Sequence, residues 1–587
     1  MIYLFREAWK YAGEDRWKVV LFYILHGLSF GGELLKPFAF GKAINSLQVN
    51  GVQNLSPTLR WLAVYLTGFF IFEVFHRIAQ YFVVTTALRN QQRFIDAMYQ
   101  RIYTLPIKWH VDHHSGEVIN RVNVAGQALR DFSYSQRIYL EYIFLSIGPI
   151  LFLLGISWQI GVISILLTSI NLFVVQKMNN AIQPILHDKT EHFHSYAARL
   201  IDFVANIKTI ISLRLKKETM GELDQRFEDY YQDCMDEFKI NQPRCFIIGL
   251  GSIVTELVII LYYLWNCKRL QIPIMVGSLV MIVNYFRQMR ESFFQIANSF
   301  YETLRWETSI KSVSPIIEAD QDRARMNLTT SADSWSNLSI RNLQFTYEQE
   351  ETGLYDLDID LNGDSKVAIV GLSGSGKSTL VNLLAGLYHP NHVRAFFDGE
   401  ETDSLKQFTD STLLVPQDSE IFENTIRYNI TFGLDIGAEE LAKVIKASRL
   451  KEVLDRLPGG LETDIREKGV NISGGERQRL ALARGLFFAE RKRALLLDEV
   501  TSSLDSFNEK LVYQQILEGY QDRCIICTIH RLHLVEMFDK VLVMDDGQIV
   551  ERGSFSELIV REGHFKRLWD KYLIGDEEDL VSTQEVI

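Results

Sequence analysis

Long apolar stretches dominate the first half of the chain, whereas short apolar runs dominate the second half. A helix needs about 20 predominantly apolar residues to cross a bilayer. Six stretches approach or exceed that length, at residues 19–40, 59–84, 138–155, 158–178, 245–265 and 273–296. The pattern therefore predicts six membrane-spanning helices. The alternative is a large soluble protein in which six interrupted apolar segments form buried core helices.

Two long polar segments, residues 85–137 and 179–244, separate these stretches. Their patterning, as in LRNQQRFIDAMYQRIYTL, is helical and amphipathic, so we expect the membrane helices to continue as long helices into water. Both segments are rich in Lys and Arg, whereas residues 41–58 contain only Lys42. Because cytoplasmic loops are enriched in Lys and Arg, we expect both segments and both termini to be cytoplasmic.

The first residues, IYLFREAWKYAG, form a short amphipathic stretch before the first span. Such a stretch predicts an elbow helix that lies in the membrane interface. Charges run through it, and no cleavable signal or presequence rich in Arg and Ser is visible. We therefore expect a multi-pass integral protein of a bacterial inner (plasma) membrane.

After about residue 310 the pattern becomes polar and aperiodic, and from Leu338 short β-branched or aliphatic runs alternate with helical patterns. That alternation indicates an α/β domain with a mostly parallel sheet. We therefore divide the chain into an all-α transmembrane domain at residues 1–312, a linker at 313–336, an α/β domain at 337–574 and an acidic tail at 575–587. The transmembrane domain includes the elbow helix and the two long intracellular segments.

Composition narrows the class of protein further. The chain has 587 residues and a net charge of −12, so it is too long for one hydrophobic core and is a poor candidate for a nucleic-acid binder. Five cysteines are too few for a disulfide scaffold. Cys524 and Cys527 form a C-x-x-C inside the apolar run RCIICTIH, which favours a buried strand over a redox or metal pair.

The strongest chemical signal is a glycine-rich loop that follows the apolar strand VAIV and precedes the helical run LVNLLAGL. That context is the one a P-loop requires. Its glycines let backbone N–H groups wrap phosphates, Lys377 supplies a fixed positive charge, and the Ser378 hydroxyl suits Mg²⁺. The candidate nucleotide-binding residues of this loop are Gly371, Ser373, Gly374, Ser375, Gly376, Lys377, Ser378 and Thr379.

A P-loop site also needs an acidic residue at the end of a second strand to hold the metal. The run ALLLDE supplies it. Asp498 emerges at the carboxyl end of the buried strand and is a candidate Mg²⁺ ligand together with Ser378. Glu499 follows at once and is the natural general base or water-orienting group for ATP hydrolysis.

Between these motifs stands NISGGERQRLALAR, which contains Ser473, Gly474, Gly475 and Glu476. This segment resembles the signature of the ATP-binding-cassette (ABC) family and separates the domain from other P-loop NTPases. In that family the signature covers the γ-phosphate of ATP bound to the opposite subunit. A serine, two glycines and a helix N-terminus are also what an anion-binding nest needs.

The resemblance assigns further candidates on matching positions. Tyr347 resembles the aromatic that stacks on adenine, and Gln417 resembles the glutamine that reaches Mg²⁺ and the attacking water. Glu467 resembles the acidic residue of the cross-linking loop typical of exporters. Asp505 lies in the segment TSSLDS, which resembles the loop that contacts the other subunit. His530 resembles the switch histidine that contacts the γ-phosphate.

The membrane half carries weaker resemblances to ABC exporters. The run DHHSGEVINR at residues 112–121 is similar to the first intracellular coupling helix, and residues 206–213 are similar to the second. Residues 276–280 resemble the start of the sixth helix. One P-loop and one signature per chain imply a half-transporter that pairs with a second copy of itself, although a heterodimer stays possible.

This resemblance implies ATP-driven export or flipping of a hydrophobic or amphipathic substrate, namely a lipid, drug, peptide or small metabolite, with ATP and Mg²⁺ as cofactors. The partners implied are membrane lipid, the substrate and a second chain, without nucleic acid. An ATP-gated channel or regulatory membrane subunit is the main alternative. A soluble ABC ATPase with a scaffold domain is another, which the six spans disfavour.

The last apolar stretch contains a polar stripe at helical spacing, and a charge facing lipid near the bilayer centre costs at least about 2.5–3.5 kcal/mol. We therefore expect the stripe to line the translocation path. An internal Arg–Glu pair between helices and an interfacial location are the alternatives. The stripe consists of Asn284, Arg287, Glu291, Gln295 and Asn298.

Overall fold

The computed structural model describes residues 1–113, 115–319, 335–347, 352–417, 420–465, 472–502, 504 and 506–573. The chain divides into two compact units. The first unit contains residues 1–105 and 113–319, and the second contains residues 106–112 and the described residues from 335 onward.

The first unit is entirely helical in its described part. Six of its helices are 35 to 55 residues long, and two short ones with defined bounds mark the elbow and a turn. In chain order the helices are α1 (Ile2–Ala12), α2 (Arg16–Asn50), α3 (Ser56–Thr104), α4 (Ile107–Asp112, which belongs to the second unit), α5 (Ser115–Ile156), α6 (Trp158–Ala205), α7 (Ile207–Leu213), α8 (Lys216–Leu270) and α9 (Val276–Lys311).

The long helices confirm that the polar segments continue the apolar spans as helix. Helix α3 runs to Thr104 and α6 runs to Ala205, so the turns fall within the polar segments. Five described segments are long and apolar enough to cross a membrane, within α1–α2, α3, α5, α6 and α8. Helix α9 has the length of a span but is less apolar, because it carries Arg287, Arg290 and Glu291.

The run at residues 112–121, predicted to form the first coupling helix, is divided between two helices. The short helix α4 ends at Asp112, and the SGEVINR part of the motif forms the start of α5. Pro106 precedes α4, and a proline is well tolerated at a helix start, where its missing N–H costs nothing. The second coupling segment is helical, as α7.

Close helix contacts in the first unit depend on glycine. A Cβ on Gly32 would lie 2.6 Å from the carbonyl oxygen of Gly68, and a Cβ on Gly41 would lie 2.5 Å from that of Gly277. These pairs let α2 approach α3 and α9 backbone to backbone, as small residues do between membrane helices.

The second unit combines a mostly parallel sheet with a smaller antiparallel one. The six-stranded sheet has the order β12-β11-β3-β10-β9-β6, and the antiparallel sheet has the order β2-β1-β4-β5. The strands are β1 (Asn337–Thr346), β2 (Gly353–Asn362), β3 (Lys366–Gly371), β4 (His392–Phe397), β5 (Glu400–Thr402), β6 (Thr412–Val415), β7 (Asn424–Thr425), β8 (Asp464–Ile465), β9 (Ala494–Asp498), β10 (Cys524–Thr528), β11 (Lys540–Asp545) and β12 (Gln548–Gly553).

The helices of this unit that have defined bounds are α10 (Lys377–Leu384), α11 (Lys406–Asp410), α12 (Ile426–Thr431), α13 (Ala438–Ala447), α14 (Lys451–Arg456), α15 (Gly474–Ala489), α16 (Ser506–Gly519) and α17 (Phe555–Val560). Alternate residues of β3 enter two separate hydrophobic clusters. Ala368 and Val370 join one, whereas Val367 and Ile369 join the other. Since successive strand residues point to opposite faces, both faces of the sheet are covered.

The C-x-x-C pair lies on β10, with both cysteines fully buried. Burial raises the pKa of the Cys524 thiol to about 12 and that of Cys527 further still. These thiols therefore stay protonated and pack as small hydrophobic side chains, as the apolar run predicts.

Candidate functional site

Four parallel strands bring the candidate residues to one edge of the sheet. Strand β10 lies between β3 and β9, and β6 pairs with β9. In this register Thr528 is opposite both Ile369 and Asp498, and Val415 is opposite Leu497. The loops that follow β3, β6, β9 and β10 therefore begin side by side, which is where open α/β sheets bind their ligands.

The loop after β3 has the backbone of a phosphate cradle. Gly374 and Gly376 have φ angles of +83° and +97°, which favour glycine. A Cβ on Gly374 would meet open space, whereas one on Gly376 would lie 2.7 Å from a methyl carbon of Leu354. The buried hydroxyl of Ser375 has no hydrogen-bond partner among the described residues, so the loop leaves a polar group available for a ligand.

Lys377 begins α10 with its side chain folded back over this loop. Its ammonium donates to the carbonyl oxygens of Gly371 at 3.1 Å and Leu372 at 2.9 Å. The residue is only 7% exposed, and burial lowers the pKa of the ammonium while the carboxylates of Glu499 and Asp498 act in the opposite direction. A buried cation held by two neutral carbonyls is poorly compensated and suits an anionic ligand.

The acidic strand end lies next to the start of α10. The hydroxyl of Ser378 donates to Asp498 Oδ1 at 3.3 Å, and the buried hydroxyl of Thr528 donates to the same oxygen at 2.7 Å. The backbone N–H of Glu499 donates to Thr528 Oγ1 at 2.8 Å. Oxygen ligands of this kind are those that Mg²⁺ prefers.

Glu499 turns out of the strand in a left-handed conformation, with a φ of +47°. A non-glycine residue in that region is uncommon and costs about 1 kcal/mol or more. The turn brings the carboxylate against Gln417, whose Nε2 donates to Glu499 Oε2 at 2.9 Å. Residues 82 positions apart thus form a pair at the edge of the P-loop site.

The two remaining candidates on this side are Tyr347 and His530. The Tyr347 hydroxyl lies 3.2 Å from Thr379 Oγ1, and its ring packs edge-on against Phe345 and Tyr388. The ring is therefore fixed beside the P-loop helix. His530 is exposed two residues beyond β10, at the same edge of the sheet as Asp498.

The signature residues form a capped helix start. Ser473 is the N-cap of α15, its hydroxyl accepts from the Glu476 N–H, and the Glu476 carboxylate accepts from the Ser473 N–H at 2.8 Å. Arg456 donates to the same carboxylate at 2.6 Å. The hydrogen bond from the Ser473 N–H holds the pKa of Glu476 below its usual range, with Arg456 contributing. Ser473 and Gly474 remain exposed.

The structure brings the P-loop, Asp498, Glu499 and Gln417 together but leaves the signature apart. No hydrogen bond joins residues 473–476 to residues 371–379 within the described part of the chain. Asp505 and Glu467 lie outside the described residues.

Sequence reasoning missed Thr528. Its hydroxyl links the side chain of Asp498 to the backbone of Glu499 and is 1% exposed. The available signal was a single polar residue at the carboxyl end of the apolar strand CIICT. We assign it a positioning role, because it contacts both acidic residues of the candidate site.

We expect Thr528→Val to lower ATP turnover by about tenfold, since misplacing a reacting group has effects of this size or larger. Valine keeps the shape of threonine but leaves Asp498 Oδ1 and the Glu499 N–H without this partner. Steady-state ATPase assays on the purified protein measure the effect, and Thr528→Ser should retain most of the activity. An unchanged rate in Thr528→Val would contradict the positioning role.

Comparison with known proteins tests the resemblance. The family model "ABC transporter transmembrane region" matches residues 19–293, and the model "ABC transporter" matches residues 354–502. Together they match well over half of the chain, in the same order as the two units. The chain belongs to the ABC transporter family.

This ABC transporter is 29% identical over 497 residues to an ATP-dependent lipid A-core flippase of Pseudomonas aeruginosa. The matched region covers 80% of the chain and 78% of the relative. It is 26% identical over 596 residues to the Beta-(1-->2)glucan export ATP-binding/permease protein NdvA of Brucella suis, covering 97% of the chain and 94% of the relative. A bacterial Atm1-family ABC exporter with ATP bound shares its fold, with a TM-score of 0.78, 23% identity and coverage of 95% of this chain and 99% of that one.

These findings confirm the predicted family and fold class. The ABC transporter binds ATP, couples ATP hydrolysis to export and is a multi-pass integral membrane protein. A soluble scaffold ATPase is therefore excluded.

Proposed function

We propose that this ABC transporter works as a homodimer that exports or flips an amphipathic substrate by alternating access. The observation that carries the proposal is the Glu499–Gln417 contact beside Asp498 and the P-loop, because it places a carboxylate for hydrolysis next to the phosphate cradle. A channel or regulatory subunit that moves nothing uphill has no need of this arrangement. We further propose a bacterial inner membrane, with both termini and the ATPase domain in the cytoplasm.

We assign ATP binding to the P-loop and to Tyr347. The N–H groups of Gly371, Ser373, Gly374, Ser375 and Gly376, with the hydroxyls of Ser378 and Thr379, surround the phosphates, and Lys377 neutralises their charge. Adenine stacks on the Tyr347 ring, whose orientation the contacts with Thr379 and Phe345 support.

Ser378, Asp498 and Gln417 would hold Mg²⁺, since two of them already place oxygen atoms 3.3 Å apart. When bound, the ion would offset negative charge on the phosphate oxygens. Glu499 orients and deprotonates the attacking water, while Gln417 holds the Glu499 carboxylate in place. His530 contacts the γ-phosphate from the end of the neighbouring strand.

The separation of the two halves of an ATP site supports the proposed dimer. Each chain supplies one P-loop and one signature. The N-terminus of α15, where Ser473 and Gly474 are exposed and Gly475 is half-buried, suits the phosphate of ATP on a partner chain. Glu476 is the N3 residue that fixes this helix start. Asp505 completes the contact between the chains.

The polar stripe of α9 supports a path for an amphipathic substrate. Asn284, Arg287 and Glu291 are exposed in the isolated chain. Arg287 pairs across helices with Glu256 of α8 at 3.0 Å, whereas Glu291 accepts a hydrogen bond from Gln295 at 3.1 Å. The alternative to a path-lining stripe, a pair between Arg287 and Glu291, does not form among the described residues.

Arg287 keeps 58% of its side chain exposed despite this ion pair, and exposure of that extent to lipid would be costly. We therefore propose that the stripe faces a water-filled cavity. The side chain of Asn298 lies outside the described residues.

Cysteine labelling tests this path. Single cysteines at Asn284, Arg287 and Glu291, in a background lacking the five native cysteines, should react with a water-soluble thiol reagent in the nucleotide-free state. Trapping ATP in a Glu499→Gln background should reduce labelling by about tenfold or change the side from which it occurs. Ile282→Cys, at a fully buried position, is the matched control and should stay unlabelled. Resistance at all three positions in both states would contradict the path.

The substrate class is tested in proteoliposomes. Relatives named for a lipid A-core and for a β-glucan favour amphipathic or glycosylated molecules as first candidates, followed by drugs and peptides. A substrate should accumulate only with ATP and only with intact Glu499. Movement of the same solute without ATP hydrolysis would favour the channel instead.

A further inference from the structure

A cavity of about 400 Å³ lies beneath the elbow helix, far along the chain from the ATP-site residues. Four helices contribute to its wall: α1, α2, α3 and α5. Its volume falls within the range of small-molecule pockets, about 300–1,000 Å³. It is also much larger than the space one water molecule needs.

The wall of the cavity is mainly apolar. Phe5 and Trp9 of α1 and Phe22 of α2 line it, and Phe22 is 1% exposed. Arg6 is the one charged residue among its described lining residues, and it is exposed. Charge is thus confined to the mouth, and the interior suits an uncharged, mostly apolar molecule.

Two buried polar atoms in this wall have no hydrogen-bond partner among the described residues. They are Thr86 Oγ1 and Asn90 Oδ1, in residues that are 3% and 1% exposed. The orientation of the Asn90 amide is fixed, because its Nδ2 donates to the carbonyl oxygen of Ala8 at 3.2 Å and to Ser133 Oγ at 2.9 Å. The oxygen must therefore occupy the unpaired position, and a buried acceptor left unpaired is costly.

Thr86 and Asn90 are four residues apart on α3 and so share one face of the helix. Asn90 Oδ1 requires a donor, whereas the Thr86 hydroxyl can donate or accept. A ligand hydroxyl satisfies both, since it donates to Asn90 and accepts from Thr86. Carboxylates and ethers lack the donor that Asn90 needs.

We propose that this cavity binds a membrane amphiphile that consists of a long apolar chain and a neutral hydroxyl group. The hydroxyl lies between Thr86 and Asn90, and the chain packs along Phe5, Trp9 and Phe22. The membrane is the source, because Ile2 and Trp9 at the mouth are 87% and 44% exposed in an integral membrane protein. The site goes beyond the proposed export function and does not require that the bound molecule be transported.

The occupant would lie against the residue that fastens the elbow helix. Asn90 joins Ala8 of α1 to Ser133 of α5, and Arg93, one turn further along α3, pairs with Asp15 at 2.7 Å. A bound hydroxyl therefore completes a polar cluster that holds α1 against the helix bundle.

The test uses the full-length protein in detergent and two matched probes, 9,10-dibromooctadecanol and its methyl ether. Native mass spectrometry gives the number of bound probes and their apparent affinities. Wild-type protein should bind the alcohol about fivefold more tightly than the ether, as expected for one net hydrogen bond. Bromine should also quench the fluorescence of Trp9, so the quenching should shrink in Trp9→Phe.

Thr86→Val removes the hydroxyl but keeps the shape, and it should weaken binding of both probes about fivefold, because the ether oxygen can also accept from Thr86. The preference for the alcohol, which depends on its donor to Asn90, should remain. Thr85→Val is the matched control, because the Thr85 hydroxyl donates to the Tyr81 carbonyl oxygen and does not line the cavity. Ala8→Leu fills the cavity and should abolish binding of both probes.

Equal binding to wild type and Ala8→Leu would mean that the cavity holds only water. Equal affinity of the wild type for the alcohol and the ether, or unchanged binding of both probes in Thr86→Val, would remove the hydroxyl recognition. Any of these results overturns the proposal. Thr86→Val breaks no protein hydrogen bond, so it stays informative if Ala8→Leu fails to fold. Normal ATP turnover in Thr86→Val keeps a failure here distinct from a failure of the proposed export function.

Discussion

Replacing Glu499 by Gln is expected to leave ATP binding intact and to lower hydrolysis by about 10²–10⁴-fold. The amide preserves the size of the side chain and can still contact Gln417, which lies 2.9 Å from the carboxylate. It cannot accept a proton from water. Because binding and closure do not need that proton transfer, ATP should accumulate in a closed dimer. Phosphate release and trapped nucleotide, both measured on purified protein, check the two halves of this expectation.

The matched control is Glu518→Gln in the same domain, where an exposed glutamate accepts a hydrogen bond from Gln514 on its own helix. That variant should hydrolyse ATP at the wild-type rate. Turnover close to wild type in Glu499→Gln would refute the assignment of the base. Loss of ATP binding in Glu499→Gln would show instead that the carboxylate supports the fold of the site.

Sequence patterns predicted most of the architecture because the signals are local and strong. Long apolar stretches predicted the helices. Amphipathic patterning correctly predicted that α3 and α6 are longer than a bilayer requires. The P-loop and the ALLLDE run predicted β3 and β9, since a strand buried on both faces reads as a continuous apolar run. The motif has glycine at positions 374 and 376, and both residues adopt positive φ angles, which favour glycine.

The features that were missed depend on contacts between distant parts of the chain. Thr528 acts only because the sheet order places β10 between β3 and β9, and no local pattern gives that order. Arg287 has Glu291 at helical spacing but pairs with Glu256, because a neighbouring helix offers a carboxylate at 3.0 Å. The cavity beneath the elbow helix needs four helices to form, so the sequence contains no local sign of it.

Shared ATP sites can be tested with dimers that carry Lys377→Ala and Ser473→Arg. Lys377→Ala removes the buried cation over the P-loop, and Ser473→Arg puts a long cation on the exposed signature. Ser473 also caps α15, and loss of an N-cap alone costs about 0.5–2 kcal/mol. Ser473→Ala is therefore the matched control, since it loses the cap without adding bulk, and it should retain most nucleotide trapping.

Two arrangements of the same lesions separate shared sites from independent ones. Differently tagged chains, each with Glu499→Gln to retain ATP, allow purification of defined mixed dimers. With Lys377→Ala on one chain and Ser473→Arg on the other, both lesions fall in one composite site, so one ATP per dimer should remain trapped. With both lesions on one chain, each composite site receives one lesion, and trapping should fall to background.

If every chain instead formed its own complete site, the second arrangement would leave the unmodified chain intact and would trap one ATP. The second arrangement therefore decides the matter, because only a site built from two chains makes an undamaged P-loop fail.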